Sequence, residues 1–183
     1  MKDRLMIVSP YCTIGPFFPA SFVEGHDDLT HYRGGTARGQ HIVLTGRVLQ
    51  EGGDPTRNTI LEIWQPDANG IFSSREGADP GFAGWGRART DAEGWYKIRT
   101  VVPGSYGDRC PHANLMILAI GLTRRLVTTV FFADDPDAVR DPVLDCVKDA
   151  AARKRLFAKR ENAGEYRFDL ILRGEGETPF FLD

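Results

Sequence analysis

Long apolar runs are missing from this sequence. No stretch approaches the roughly 20 residues a membrane-spanning helix needs. The short apolar patch in the opening MKDRLMIVSPYC is not followed by a small-residue cleavage site. That opening does not read as a signal peptide, and a cytoplasmic location is expected. Cysteine is scarce: there are three, Cys12, Cys110 and Cys146, far apart and never in C-x-x-C spacing. An odd, scattered set predicts reduced thiols rather than a disulfide framework. A basic surplus is lacking too. Lys and Arg number 23 against 25 Asp and Glu, for a net charge of −2, which argues against nucleic acid as the main partner. Internal repeats, low-complexity tracts and linkers are not found.

What is present is an ordinary globular composition, with 42% hydrophobic and 26% charged residues over 183 positions. That is enough chain for one domain with its own core. Apolar and polar residues alternate with period two in His41–Leu49, Thr59–Gln65, Trp95–Val102, Asn114–Ile120, Leu126–Phe132 and Tyr166–Arg173, the pattern of half-buried strands. Turn signals separate several of them: Gly52-Gly53-Asp54-Pro55, Asp67-Ala68-Asn69-Gly70, Asp91-Ala92-Glu93-Gly94 and Pro103-Gly104. A mainly β, antiparallel β-sandwich is predicted.

Asp141–Lys159 breaks the alternation. Pro142 suits a first helical position, and Val143, Val147, Ala150 and Ala151 follow at helical spacing. One helix or two short ones outside the sandwich are expected. Residues 1–39 read as an irregular N-terminal arm whose aromatics (Tyr11, Phe17, Phe18, Phe22, Tyr32) suit docking. Trp64, Trp85 and Trp95 read as core or interface packing, and Phe131 and Phe132 as split between core and subunit contact. His26, His31 and His41 read as surface or hydrogen-bonded residues, and the run Arg153–Arg160 as a solvated helix face.

One constellation has metal-site character. Tyr106 precedes His112 and Asn114 on the approach to a strand. Residues two apart on a strand face the same way, so His112 and Asn114 share a side, with Tyr106 arriving from a loop. On its own the signal is weak: a lone histidine beside a strand is more often a hydrogen-bonded structural residue, and an amide is a poor ligand for iron or zinc.

The segments LEIWQPDANG (61–70), GWGRARTDAEGWYKIRTVVPGSY (84–106), RCPHAN (109–114), RRLVTTVFFADD (124–135) and YRFDLILRGEGETPFF (166–181) resemble, in order and spacing, the intradiol ring-cleaving dioxygenases. Within them the two-chain protocatechuate 3,4-dioxygenases are the nearest type. The resemblance runs from about Thr13 to the C-terminus. It implies a prealbumin-like β-sandwich and, in that family, ferric iron held by two tyrosinates and two histidines. The four ligand positions fall here on Phe72, Tyr106, His112 and Asn114, so two ligands are replaced. Arg109 matches the family's active-site arginine.

The resemblance therefore implies no complete metal site and no catalytic residue in this chain, with Fe(III) in a β-subunit partner and a catecholic acid and O2 at a shared pocket. A higher-order αβ assembly is also implied. It further assigns substrate contact to Thr13, Gly15 and Pro16 of a T-x-G-P segment, and to Thr129, which stands where some relatives carry an arginine. Two other readings stay open: a self-sufficient enzyme with a substituted ligand set, and a binding or scaffold module that has lost the chemistry.

Overall fold

The computed structural model describes residues 18–133 and 139–181. A 3-10 turn at Ala20–Phe22 leads into a small hairpin, β1 (His31–Tyr32) and β2 (Gly35–Thr36). The segment read as irregular thus contains ordered elements from residue 18 on. Eight further strands of the sandwich and its edge follow with two short helices: β3 (His41–Leu49), β4 (Ile60–Trp64), β5 (Trp85–Arg89), β6 (Trp95–Val101), β7 (His112–Leu118), β8 (Leu126–Phe131), α1 (Pro142–Cys146), α2 (Ala150–Lys154), β9 (Lys159–Asn162) and β10 (Glu165–Arg167). The last strand is β11 (Leu170–Ile171).

Two sheets face each other. In the first, β3 is the central strand. Its one edge pairs antiparallel with β6 from His41↔Val101 to Arg47↔Trp95. Its other edge takes β10 and then β11, both parallel, while β9 extends the sheet beyond β10. The second sheet runs β5-β4-β7-β8, antiparallel throughout. The predicted sandwich is therefore mainly antiparallel, with parallel pairings at β3.

Period-two alternation sends one side of each strand into the space between the sheets. Ile42, Leu44 and Val48 of β3 and Ile98 of β6 meet Leu61 and Ile63 of β4, Leu115 and Ile117 of β7 and Val130 of β8. Most are fully buried. Each such aliphatic side chain contributes about 1.5–3 kcal/mol relative to exposure, which fixes strand register, since a one-residue slip would turn the whole set outward. Tyr96 is buried with them, and its hydroxyl donates to the Phe168 carbonyl at 2.6 Å.

A second apolar cluster forms on the far side of the β7–β8 sheet, where Leu144, Leu156 and Phe157 pack on Phe131. Two short helices supply part of it, as predicted. Asp141 and Asp149 cap them by accepting from the Val143 and Ala151 amides. The charged run Arg153–Arg160 is not one solvated helix face. Helix α2 ends at Lys154, Leu156, Phe157 and Ala158 are buried, and Lys159–Arg160 begins β9. Phe131 and Phe132 are both buried, one in each cluster. Trp85 and Trp95 stay 39% and 38% exposed. The guanidiniums of Arg47 and Arg167 stack on Trp95. Cys110 and Cys146 are unpaired, and no helix among the described residues is long and apolar enough to cross a membrane.

Candidate functional site

The site begins where two loops cross. The Asp67–Gly70 turn is organised by the buried Asp67 carboxylate, which accepts from the amides of Asn69, Ile71 and Asp79. The Gly104 amide donates to the Asp67 carbonyl at 2.9 Å. A Cβ on Gly104 would stand 2.3 Å from the Gly70 nitrogen, and one on Gly70, at φ +81°, would stand 2.1 Å from the Ser105 carbonyl oxygen. Only bare backbone permits this approach. It brings Phe72, just past one turn, against Tyr106, just past the other, with ring centroids 4.9 Å apart in an edge-on arrangement.

Strand β7 supplies the rest. Ala113, Leu115 and Ile117 point into the core, so His112 and Asn114 lie on the opposite face, as the two-residue spacing predicted. The His112 Nδ1 lies 2.7 Å from the Cys110 carbonyl and its Nε2 lies 3.1 Å from the Tyr106 hydroxyl. A carbonyl only accepts, so Nδ1 carries the proton and Nε2 accepts from Tyr106. Burial, only partly opposed by the Cys110 carbonyl, pushes the His112 pKa below that of a free imidazole. Burial likewise pushes the Tyr106 phenol above its usual value, with Arg109 opposing. Both groups are neutral near pH 7, which is what a phenol-to-imidazole hydrogen bond requires.

The 3.1 Å spacing of this pair is compatible with two donors to one metal. Two cis donors about 2.1 Å from one metal stand roughly 3 Å apart, and a backbone carbonyl on the far ring nitrogen is the usual orienting partner of a ligating histidine. The other two positions are chemically different. Phe72 ends in hydrocarbon. Asn114 sits opposite Thr129 across β7–β8, and its Oδ1 accepts from the Thr129 hydroxyl at 3.0 Å. Thr129 is only 4% exposed, so its hydroxyl is spent on Asn114. Among the described residues no group of three or more His, Cys, Asp or Glu side chains is placed to hold a metal ion.

Arg109 is turned to a neighbouring carboxylate. Its Nε donates to both oxygens of Asp141 at 2.9 and 3.0 Å. The Asp141 side chain is fully buried and also accepts from the Cys110 and Val143 amides. One carboxylate thus caps α1, fixes the backbone that holds His112, and neutralises Arg109. Nothing in the residue pattern around Asp141 beyond its place before Pro142 had marked it for this role. Rings continue the site inward: Tyr106, His112, Phe131 and Phe157 follow one another at centroid distances of 5.3, 5.7 and 5.3 Å.

The structure therefore gathers Phe72, Tyr106 and His112 in contact, with Asn114 and Thr129 paired on the same face and Arg109 beside them. Thr13, Gly15 and Pro16 lie outside the described residues.

A family model described as Dioxygenase (Dioxygenase_C) matches residues 13–174. The chain is 38% identical to the protocatechuate 3,4-dioxygenase beta chain of Burkholderia cepacia, over 83% of this chain and 73% of that one. It is 36% identical to the alpha chain of Pseudomonas putida, over 79% and 77%. It is 34% identical to the alpha chain of Burkholderia cepacia, over 94% and 96%. The chain belongs to the intradiol ring-cleaving dioxygenases. Solved structures agree in fold. Catechol 1,2-dioxygenase from Pseudomonas arvilla C-1 superposes with a TM-score of 0.57 at 26% identity, covering 87% of this chain and 60% of that one. The dioxygenase domain of a dioxygenase–carbohydrate-binding protein fusion from Streptomyces sp. SirexAA-E gives 0.59 at 24% identity, covering 93% of this chain and 100% of that one. Members of this family are non-haem iron oxidoreductases.

Proposed function

We propose that this chain is the iron-free, α-type subunit of a two-chain protocatechuate 3,4-dioxygenase. It shapes a pocket whose ferric iron is held by a β-type partner. The observation that carries this reading is the donor set at the ligand positions: the Phe72 ring, the Tyr106 phenol, the His112 imidazole and the Asn114 amide. Ferric iron favours anionic oxygen donors backed by imidazole. Phe72 offers no lone pair, and the neutral Asn114 oxygen is engaged by Thr129. The Tyr106 hydroxyl and His112 Nε2 satisfy each other. The residues present do not fit the group, and no step of the reaction is routed through this cluster.

Overall identity does not separate the two subunit types, since the beta chain of Burkholderia cepacia is matched at 38% and its alpha chain at 34%. The donor set at Phe72, Tyr106, His112 and Asn114 favours the alpha type, and the match to the alpha chain over 94% of this chain and 96% of that one supports the same side. In the complex, O2 opens the bond between the two hydroxyl-bearing ring carbons of a catecholic acid, and both oxygen atoms end in the new carboxylates. With protocatechuate the product is 3-carboxy-cis,cis-muconate.

The part of this chain is positioning. Gly15 allows close backbone approach to a flat ring, Pro16 presents a rigid apolar face without an N–H, and Thr13 adds a hydroxyl. Thr129 carries no charge and is committed to Asn114, so recognition of the substrate carboxylate falls to other groups of the assembled pocket. Arg109, held by Asp141, acts in structure rather than in chemistry. The test is co-expression with a β-type chain bearing two tyrosines and an H-x-H element. Iron and muconate formation are expected in the complex and neither in this chain alone. Ring cleavage by the purified single chain would overturn the proposal.

A further inference from the structure

Beyond Phe72 the chain builds a second concavity, of about 590 Å3, between the tip of the β1–β2 hairpin and the loop from Ser73 to Phe82. Its volume is that of a small-molecule site. Its walls are fixed by direct backbone contact. A Cβ on Gly35 would lie 3.0 Å from the Gly81 Cα, and one on Gly81 would lie 2.5 Å from the Thr36 carbonyl oxygen. Asp79 ties the walls together by accepting from the Arg38 and Gly81 amides at 2.6 and 2.9 Å. These two N–H groups hold its pKa below the ordinary aspartate value, and they occupy its oxygens.

Two arginines line this groove, Arg33 and Arg75, and both are exposed. Neither has an ion-pair partner among the described residues. Arg33 stacks its guanidinium on the Tyr32 ring, 5.0 Å from the centroid, and Tyr32 is itself 39% exposed. Arg33 also sits at φ +49°, followed by Gly34 at +79°. A two-residue hairpin loop with positive φ at both positions is a type I′ turn, for which Asn-Gly is the favoured pair. An arginine there is strained, and among the described residues its guanidinium meets the Tyr32 ring but no carboxylate. A strained residue whose charge meets an exposed ring and no carboxylate among the described residues points to a ligand.

We propose that this groove binds an aromatic carboxylate. The carboxylate group is taken by the planar forks of Arg33 and Arg75, and the ring lies against Tyr32. The site is separate from the Tyr106–His112 cluster and does not depend on the subunit assignment.

The test is a chemical-shift titration of the full chain with benzoate, against benzamide, which keeps the ring without the charge, and acetate, which keeps the charge without the ring. Benzoate is expected to bind with shifts centred on Tyr32–Gly35 and the 73–82 loop, and both comparators at least about tenfold more weakly, which is 1.4 kcal/mol. Arg33→Asn and Arg75→Gln should each weaken benzoate about tenfold. Arg33→Asn should at the same time raise the melting temperature, because asparagine suits the turn; this separates lost recognition from lost folding. Equal binding of acetate and benzoate, shifts centred elsewhere, or an undiminished affinity in the Arg33→Asn/Arg75→Gln double variant would each overturn the proposal.

Discussion

The ligand-position cluster has two halves that differ in kind. In one, Tyr106 and His112 keep their donor atoms, their mutual orientation at 3.1 Å and the Cys110 carbonyl behind the imidazole. In the other, Phe72 ends in hydrocarbon and the Asn114 oxygen accepts from the Thr129 hydroxyl. The first half is held by packing. His112 is 1% exposed and lies between Tyr106 and Phe131, so replacing it would open a buried gap. The second half carries no such demand: an edge-on phenyl at Phe72 packs without a hydroxyl, and an amide–hydroxyl pair satisfies Asn114.

Three substitutions probe how far the retained half is held by the fold, in decreasing order of expected effect. Asp141→Ala should be the most damaging. It strips a buried carboxylate from Arg109 and leaves the Cys110 and Val143 amides without their acceptor. A loss of about 3 kcal/mol is expected in denaturant unfolding, since breaking a buried pair from one side leaves the other charge uncompensated. A loss under about 1 kcal/mol would mean that Asp141 does not support the site. Gly104→Ala should cost about 2 kcal/mol through overpacking. The added Cβ drives against Gly70 and parts the two loops, so the upfield ring-current shifts between Phe72 and Tyr106 should shrink. Unchanged shifts would show that the crossing does not set the ring contact. Tyr106→Phe should cost about 1 kcal/mol, the worth of one neutral hydrogen bond, and should leave His112 Nε2 without its donor. The imidazole nitrogen resonances report this directly, and an Nε2 shift that stays at its hydrogen-bonded value would contradict the assigned tautomer.

Much of this architecture was readable from residue pattern, and the gaps have physical causes. His41–Leu49 matched β3 residue for residue because its apolar positions alternate without interruption. Strand β5, Trp85–Arg89, escaped notice because its inward positions are Gly86 and Ala88, which leave no apolar signature. Strand β9 is exposed at every residue, so no alternation exists to be read. The segment Tyr166–Arg173 looked like one strand but divides into β10 and β11, both parallel to β3, with the Phe168 amide bonded to the Thr45 carbonyl between them.

In the site, the shared face of His112 and Asn114 followed from strand period alone. The four ligand positions came from family resemblance, not from spacing. Two features were out of reach: the partnership of Asp141 with Arg109, whose residues are 32 apart in sequence, and the Thr129–Asn114 pairing, which depends on the register of β7 against β8. Trp85 and Trp95, read as core or interface, are half exposed in this chain, with arginines rather than aliphatic neighbours on their rings.

The central claim is that this polypeptide by itself does not retain ferric iron. The direct measurement is metal content and visible absorption of the separately expressed chain after exposure to iron under oxidising conditions. A colourless protein with iron far below one per chain is the predicted result. A stoichiometric Fe(III) complex with a tyrosinate charge-transfer band, abolished by Tyr106→Phe, would contradict it.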